Sequence, residues 1–368
     1  MRVLFLNQYF PPDPAPTGAL FREMADRLTA EGHDVEFVSA RQDYREGQGK
    51  GGRMRRELSA LVRMLIDGLW RRRADAVISG TSPPCLGFVA ALIALRHRAA
   101  HFHWVMDLYP EIALALGEVR PGMLASAIEA MMGWSYRRAA KVVALDLDMA
   151  ERLARHRVSA DSIRPWVFAP VLARREALLE EEAATAEVVA GAPWTWIYSG
   201  NLGRAHEWET LLEAQALLER RDSEIRLLFQ GGGPAWPAAQ ARAKEMGLAR
   251  CDWQSYVDEA DLPASLLRGQ ALIVTQRPNV QGLLWPSKLG LVSSLPRPIL
   301  WVGPTEGAIA SVLRELPNAG IFAPGQAVEI AEWVSRTKQR KADSRAKTLD
   351  PRQHREAALE QWVKLLKR

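Results

Sequence analysis

A chain of 368 residues, 48% hydrophobic and 25% charged, is long enough for two soluble globular domains. Its net charge of +5 is modest for that length and gives no reason to expect general nucleic-acid binding. Two cysteines, Cys85 and Cys251, lie far apart and flank no motif, which argues against a disulfide framework and fits a reducing cytoplasm. The N-terminal MRVLFLNQYFPP lacks a signal-peptide pattern, and the longest apolar run, Leu86 to Leu95, is too short to span a bilayer.

The first half alternates strand and helix patterns. Arg2 to Leu6 reads as a strand, Pro11 to Pro16 as a rigid loop ending in Thr17-Gly18, and Ala19 to Glu31 as a helix closed by Gly32. Further strands are expected at Asp34 to Ser39, Ala76 to Ser79, Phe102 to Met106 and Ala139 to Leu145. Between Arg45 and Arg73 basic residues far outnumber acidic ones, and Leu58, Leu61, Val62, Leu65, Ile66 and Leu69 fall at helical spacing. With Trp70 and Arg71 to Arg73, this stretch would suit an anionic membrane surface; a core-packed helix with a solvated basic rim is the alternative.

The second half repeats the plan. Strands are expected at Thr195 to Tyr198, Ile225 to Phe229, Leu272 to Thr275, Pro298 to Val302 and Gly320 to Phe322, with helices at Thr210 to Arg221 and Pro237 to Gly247. The alternation predicts an α/β protein of two Rossmann-like doubly wound domains, with a ligand cleft between them at the carboxyl ends of the strands. The expected boundaries are 1–165, a linker over 166–193 with an acidic helical run from Ala177 to Val189, a second domain over 194–350, and a C-terminal helix over 351–368 packing across the domains. Ala358, Leu359, Trp362, Leu365 and Leu366 would form that helix's apolar side.

Four strand-to-helix loops could carry chemistry. Pro16-Thr-Gly18 offers a glycine that lets backbone approach a phosphate. Tyr198-Ser-Gly-Asn-Leu-Gly-Arg204 combines Gly200 and Gly203 with an arginine suited to a diphosphate. Gln230-Gly-Gly-Gly-Pro234 could open a strand end to a base or ribose, although the Gly-x-Gly-x-x-Gly spacing of a dinucleotide site is absent. Trp285-Pro-Ser-Lys-Leu289 lies between an apolar strand, Ala271 to Thr275, and a short helix expected over Ser287 to Leu295. There Ser287 could serve as N-cap, and helix terminus and Lys288 together could hold a phosphate. An ordinary cap beside a surface lysine is the competing reading. In the first half His101 and His103 face one way, but no third metal ligand is evident. Asp107 lies just past a strand end, either as a catalytic carboxylate or as a helix N-cap. The 13 tryptophans are spread through the chain and read as packing groups.

Taken with Asn7-Gln-Tyr-Phe-Pro-Pro12, Thr81-Ser-Pro-Pro84 and Asp107-Leu-Tyr-Pro-Glu111, these segments resemble glycosyltransferase family 4, with the GT-B fold, over nearly the whole chain. They are most similar to the branch that builds O-antigen and capsule sugars on lipid-linked acceptors. The resemblance implies a retaining hexosyl transfer from a nucleotide-diphosphate sugar, most often a UDP-sugar and in this branch often N-acetylated, with no cofactor and no essential metal. By position, Gly18 would contribute an N–H to the diphosphate, and Arg204 and Lys288 would neutralise it. Asn201, Gly203, Gly231 and Ser287 would belong to the same donor loops. Tyr256 and Val257 would border the base, and Gln281, Gly282 and Leu283 would face the donor sugar. Asp107 would orient or deprotonate the acceptor hydroxyl, with His103 and Glu111 on the acceptor side.

The chain departs from the family pattern in two places. A histidine common just before the Asp107 position is Met106 here, and the paired-glutamate motif falls on Gln281 and Leu291. The reading is a cytoplasmic enzyme at the inner membrane face, acting on a polyprenyl-linked or saccharide acceptor in cell-surface polysaccharide synthesis. A non-catalytic nucleotide-sugar-binding or scaffold protein, and a nucleotide-sugar epimerase of the same fold, stay open as alternatives. The sugar, acceptor, linkage and oligomeric state are not legible.

Overall fold

The computed structural model describes residues 1–11, 15–40, 52–185, 193–221, 224–339 and 348–367. The first part of the basic segment, 41–51, and the end of the expected linker, 186–192, lie outside them. The chain divides into two compact units: Met1–Phe168 with Gly282–Trp285 and His354–Arg368, and Ala169–Gln281 with Pro286–Gln353.

In the first unit the strands are β1 (Arg2–Leu6), β2 (Asp34–Val38), β3 (Ala76–Ser79), β4 (Ala100–Trp104), β5 (Lys141–Ala144) and β6 (Ala160–Ser162). The helices are α1 (Pro16–Ala30), α2 (Arg53–Trp70), α3 (Leu86–His97), α4 (Glu111–Ala115), α5 (Met123–Arg138) and α6 (Leu147–Ala154). The strands form one parallel sheet in the order β2-β1-β3-β4-β5-β6. Val3, Phe5, Val77 and Ile78 are fully buried in it, as expected for a sheet covered on both faces.

The second unit begins with α7 (Ala169–Thr185) and has strands β7 (Thr195–Asn201), β8 (Arg226–Gly232), β9 (Cys251–Gln254), β10 (Ala271–Thr275), β11 (Ile299–Val302) and β12 (Ala319–Phe322). Its remaining helices are α8 (Glu209–Arg220), α9 (Trp236–Glu245), α10 (Leu262–Leu267), α11 (Leu289–Ser294), α12 (Ala308–Arg314) and α13 (Ala327–Gln339). The sheet order is β12-β11-β10-β7-β8-β9, again parallel. Trp196, Tyr198, Leu211, Phe229 and Leu300 centre its core, and Phe229 stacks on Trp253 at 4.5 Å.

The C-terminal helix α14 (Pro351–Leu366) buries Ala358, Leu359, Trp362, Leu365 and Leu366. From His354 it belongs to the first unit, where Trp362 meets Trp104 edge-on at 5.2 Å and Arg355 pairs with Glu23 at 2.8 Å. The acidic run expected in a linker forms most of α7, whose Arg175 Nε donates to the Ser294 carbonyl at 3.1 Å. Both cysteines are free thiols.

Two parts of the expected layout are corrected. The helix expected over Ser287 to Leu295 is only the six residues of α11. Ser287 is exposed and lies before the N-cap position, which Lys288 occupies without a side-chain cap bond. The cause is a tight turn, with Leu289 N–H donating to the Pro286 carbonyl at 3.0 Å, that delays the helix. A helix so short contributes little dipole field, so the charge at this loop rests on Lys288. Similarly, Asp107 caps nothing: α4 starts at Glu111 with Pro110 in the N-cap position.

Candidate functional site

In the second unit the chain lays down β7, β8 and β9 side by side, then returns to put β10 on the other flank of β7. Ligands of open α/β sheets sit at such a reversal, outside the carboxyl ends of the strands. Here those ends carry Ser199, Gly200 and Asn201 from β7, and Gly231 and Gly232 from β8.

Lys288 reaches this edge. Its Nζ lies 3.4 Å from the centre of the Tyr198 ring, and a Cβ built on Gly200 would stand 3.3 Å from it. The Nζ is buried and has no hydrogen-bond partner among the described residues. Burial lowers the lysine pKa well below its ordinary value, while the Tyr198 ring face offsets part of the cost of the charge. An ammonium so placed gains strongly from an incoming anion. His206 lies beside it, edge-on to Tyr198 at 5.8 Å. Burial, then the lysine charge, pushes its pKa down to about 3. Nδ1 donates to the Thr275 carbonyl at 3.0 Å, so the neutral ring leaves Nε2 as an acceptor.

The glycines here answer to space. Gly231 has φ +139°, and a Cβ on it would lie 2.1 Å from the Gly200 carbonyl oxygen. Gly233 has φ +122°, with its Cβ position 2.3 Å from Asn201 Oδ1. Gly231→Ala is therefore expected to destabilise the protein by about 2–3 kcal/mol, read as a lower urea midpoint; an unchanged midpoint would contradict the crowding. Asn201 also accepts from the Tyr256 hydroxyl at 3.4 Å. Tyr256, Val257, Asp258, Asp261, Ser265 and Arg268 line an open groove of about 390 Å³. Beneath it runs a polar chain: Arg268 donates to Ser265 Oγ at 2.9 Å, Ser265 donates to Gln230 Oε1, and Gln230 Nε2 donates to Ser199 Oγ at 3.0 Å.

The first unit has its own reversal, between β1 and β3. Buried Asn7 follows β1, and its Nδ2 donates to the Tyr9 carbonyl at 2.8 Å and to Thr17 Oγ1 at 3.3 Å. These bonds draw the loop against α1 so closely that a Cβ on Gly18 would be 2.8 Å from the Tyr9 carbonyl oxygen. Past β3, Thr81 Oγ1 accepts from the Asp107 N–H at 3.1 Å. Asp107 forms an antiparallel bridge with Leu284, and Leu108 N–H donates to the Leu283 carbonyl at 2.9 Å. Asp107 is thus fixed by its backbone on two sides. Burial raises its carboxyl pKa to about 6, where it can exchange a proton near neutrality.

Seen from the expected donor residues, the second unit brings Asn201, Gly231, Tyr256, Val257 and Lys288 into one neighbourhood, with Gly203 and exposed Arg204 in the loop after β7. Gln281 instead donates through Nε2 to the Glu306 carbonyl at 3.1 Å. Gly282 and Leu283 belong to the first unit. Gly282 has φ +68° and abuts the Asp148 backbone, and the Leu283 side chain is buried. Leu291, at the second glutamate position, is buried too.

His103, expected on the acceptor side, is fully buried. Its Nδ1 lies 2.8 Å from Ser79 Oγ and 3.3 Å from the Ser79 carbonyl, which fixes Nδ1 as a donor. The Ser79 hydroxyl then donates to His101 Nε2 at 2.8 Å. Burial drives both histidine pKa values down, that of His103 to about 4, so the pair is a neutral core network built on Ser79. Glu111 accepts from His156 Nε2 at 3.0 Å. Among the described residues, Glu111, Glu129 and His156 have ligand atoms within 4.8 Å of one another.

Tyr198, His206, Asn7 and Thr81 were not assigned roles from sequence. Three of them stand in segments that were singled out, but nothing in the one-dimensional pattern says that a tyrosine on β7 would lie under Lys288.

Residues 17–166 match the family model described as "Glycosyl transferase 4-like domain". Over that stretch the chain resembles glycosyltransferases of this type, and its two parallel-sheet units have the fold of solved GT-B glycosyltransferases. Among relatives, it is 25% identical over 271 residues to the "Probable glycosyltransferase WbjE" of Pseudomonas aeruginosa, covering 72% of this chain and 66% of that protein. The chain thus spans just under two thirds of that relative's length. Among solved structures, Anabaena Alr3699/HepE in complex with UDP and glucose superposes with a TM-score of 0.69 at 12% identity, covering 100% of this chain and 99% of that one. The lipopolysaccharide outer core galactosyltransferase WaaB in its apo form gives 0.60 at 13%, with the same coverage. At that identity the structures establish the shared fold.

Proposed function

We propose that this chain transfers a sugar, with retention, from a UDP-type nucleotide sugar to a lipid-linked or saccharide acceptor in cell-surface polysaccharide synthesis. The observation that carries the reading is the buried, unpartnered Lys288 ammonium at the reversal of the second sheet, beside glycine-opened strand ends. A diphosphate supplies the missing partner, and the lysine stabilises the charge that grows on it as the glycosidic bond breaks. Arg204 adds a second cation from the β7 loop. The nucleoside lies along the groove beside Tyr256, where Asp258 and Asp261 offer carboxylates for ribose hydroxyls in place of the family glutamate. HepE structures with UDP and with UDP-glucose support this class of donor. Asp107 in the first unit orients the acceptor hydroxyl and takes its proton. In a same-face transfer the leaving phosphate can share that task, which suits a site with Gln281 at the family acid's position.

A non-catalytic nucleotide-sugar binder is the second reading, favoured by the buried Leu291. We place the protein in the cytoplasm, with no metal requirement. A thermal-shift panel of nucleotide diphosphates and nucleotide sugars tests the donor. A rise with UDP and a larger rise with one UDP-sugar, unchanged in excess EDTA, is expected. No shift with any nucleotide would overturn the donor site, and a shift abolished by EDTA would overturn metal independence.

A further inference from the structure

Three polar groups of the first unit converge from separate elements. Glu111 opens α4, Glu129 lies within α5, and His156 follows the end of α6. Gly133, one helical turn after Glu129, makes the approach possible: a Cβ on it would lie 2.9 Å from His156 Nδ1, so the imidazole lies directly against α5. His156 Nε2 meets Glu111 Oε1 at 3.0 Å, and a Glu129 carboxylate oxygen comes within 4.8 Å of both groups. The His156 side chain is buried, at 9% exposed, whereas Glu129 is open to solvent.

Two buried atoms beside this junction, Glu111 Oε2 and the Tyr136 hydroxyl, have no hydrogen-bond partner among the described residues. A buried carboxylate oxygen without a donor or cation is costly. Tyr136 is 1% exposed. It stands two helical turns after Glu129 on the same face of α5, with its ring 5.2 Å from that of His156. Burial, then the charge of Glu111, raises its pKa well above the ordinary value, so the hydroxyl stands in the field of that carboxylate. No lysine or arginine pairs with either glutamate among the described residues. Arg137 instead donates through Nη1 to the His156 carbonyl at 3.4 Å.

We propose that Glu111, Glu129 and His156 bind one divalent cation of the zinc type. One imidazole with two carboxylates suits Zn²⁺, whereas Mg²⁺ and Ca²⁺ take oxygen donors alone. Donors held about 2.0–2.1 Å from one zinc ion stand about 3–3.5 Å apart. His156 Nε2 and Glu111 Oε1 already have that separation, and the exposed Glu129 side chain can close by rotation. The cation replaces the Nε2 proton, which leaves to solvent, and balances the two carboxylates. Tyr136 then has a role as donor to a water in the open coordination position. Bound there, the ion fastens α4, four residues after Asp107, to α5 and to the end of α6. The inference goes beyond the donor reading and does not depend on it.

The test is calorimetric titration of the untagged, EDTA-treated full chain with zinc chloride, with thermal unfolding followed in parallel. One Zn²⁺ per chain is expected to bind and to raise the unfolding temperature, and an excess of Mg²⁺ should not displace it. Glu129→Gln, at an exposed position, should weaken binding by about tenfold or more with the metal-free unfolding midpoint unchanged. His156→Gln should remove it, and Cys85→Ser/Cys251→Ser should retain it. EDTA should lower the unfolding temperature of the zinc-loaded protein and leave the increment from UDP unchanged, so this site and the donor site can fail separately. The absence of zinc binding, displacement by Mg²⁺, or parental affinity in both Glu129→Gln and His156→Gln overturns the inference. So does loss of binding in the cysteine variant, because the ion would then be held by thiols.

Discussion

Lys288→Ala is expected to lower kcat/KM for the nucleotide-sugar donor by about 100-fold, or ~2–3 kcal/mol. The Nζ is buried over Tyr198 at 3.4 Å without a hydrogen-bond partner, so its interaction with a diphosphate would not be diluted by competing bonds. Donor affinity should fall as pH rises, since burial lowers the lysine pKa and only the ammonium attracts the anion. Stability should move the other way. A lysine whose pKa is lowered by folding binds fewer protons folded than unfolded, so it penalises the fold below its ordinary pKa and the penalty fades as pH rises. Lys288→Met should therefore raise the urea midpoint at pH 7 while removing activity. Unchanged turnover at limiting donor would contradict the role, whatever the stability result.

Asp107→Asn should lower turnover with acceptor by about 100-fold, with donor-induced stabilisation retained. The wild-type rate should fall about tenfold per pH unit below an apparent pKa of about 6, the value to which burial raises this carboxyl. The asparagine variant should lose that acid limb. The sign for stability follows from the same shift: the folded state holds the proton between the ordinary carboxylate value of 3.8 and about 6, so stability declines across that window as pH rises. Above it the variant should be at least as stable as the parent. An unaltered pH–rate profile in the variant would remove Asp107 from proton transfer, and a lost fold would be seen as a lower midpoint.

The parallel sheets were legible because their strands are short apolar runs between turn residues: β1 and β3 match their expected bounds. The half-exposed edge strands β6 and β9 carry no apolar run and were not expected. At the site, glycine and lysine spacing singled out loops that the structure brings to one sheet edge, but the sequence overstated α11 and gave Ser287 a cap it does not make. The turn at Pro286 decides that, through a backbone bond invisible to residue type. His101 and His103 were legible as a same-face pair, yet their partner, Ser79, lies on the neighbouring strand, and only the β3–β4 register brings it opposite His103. Helix α2 was half legible: helical periodicity located it but could not say which of its apolar residues the core would take.

The most direct measurement is release of UDP from a panel of UDP-sugars, with and without a polyprenyl-diphosphate sugar acceptor, by the full chain and by Lys288→Ala. The account predicts acceptor-dependent release from one UDP-sugar, reduced about 100-fold in the variant. Tight binding of a UDP-sugar, with no release for any donor and acceptor pair, would contradict transfer and leave a nucleotide-sugar-binding protein.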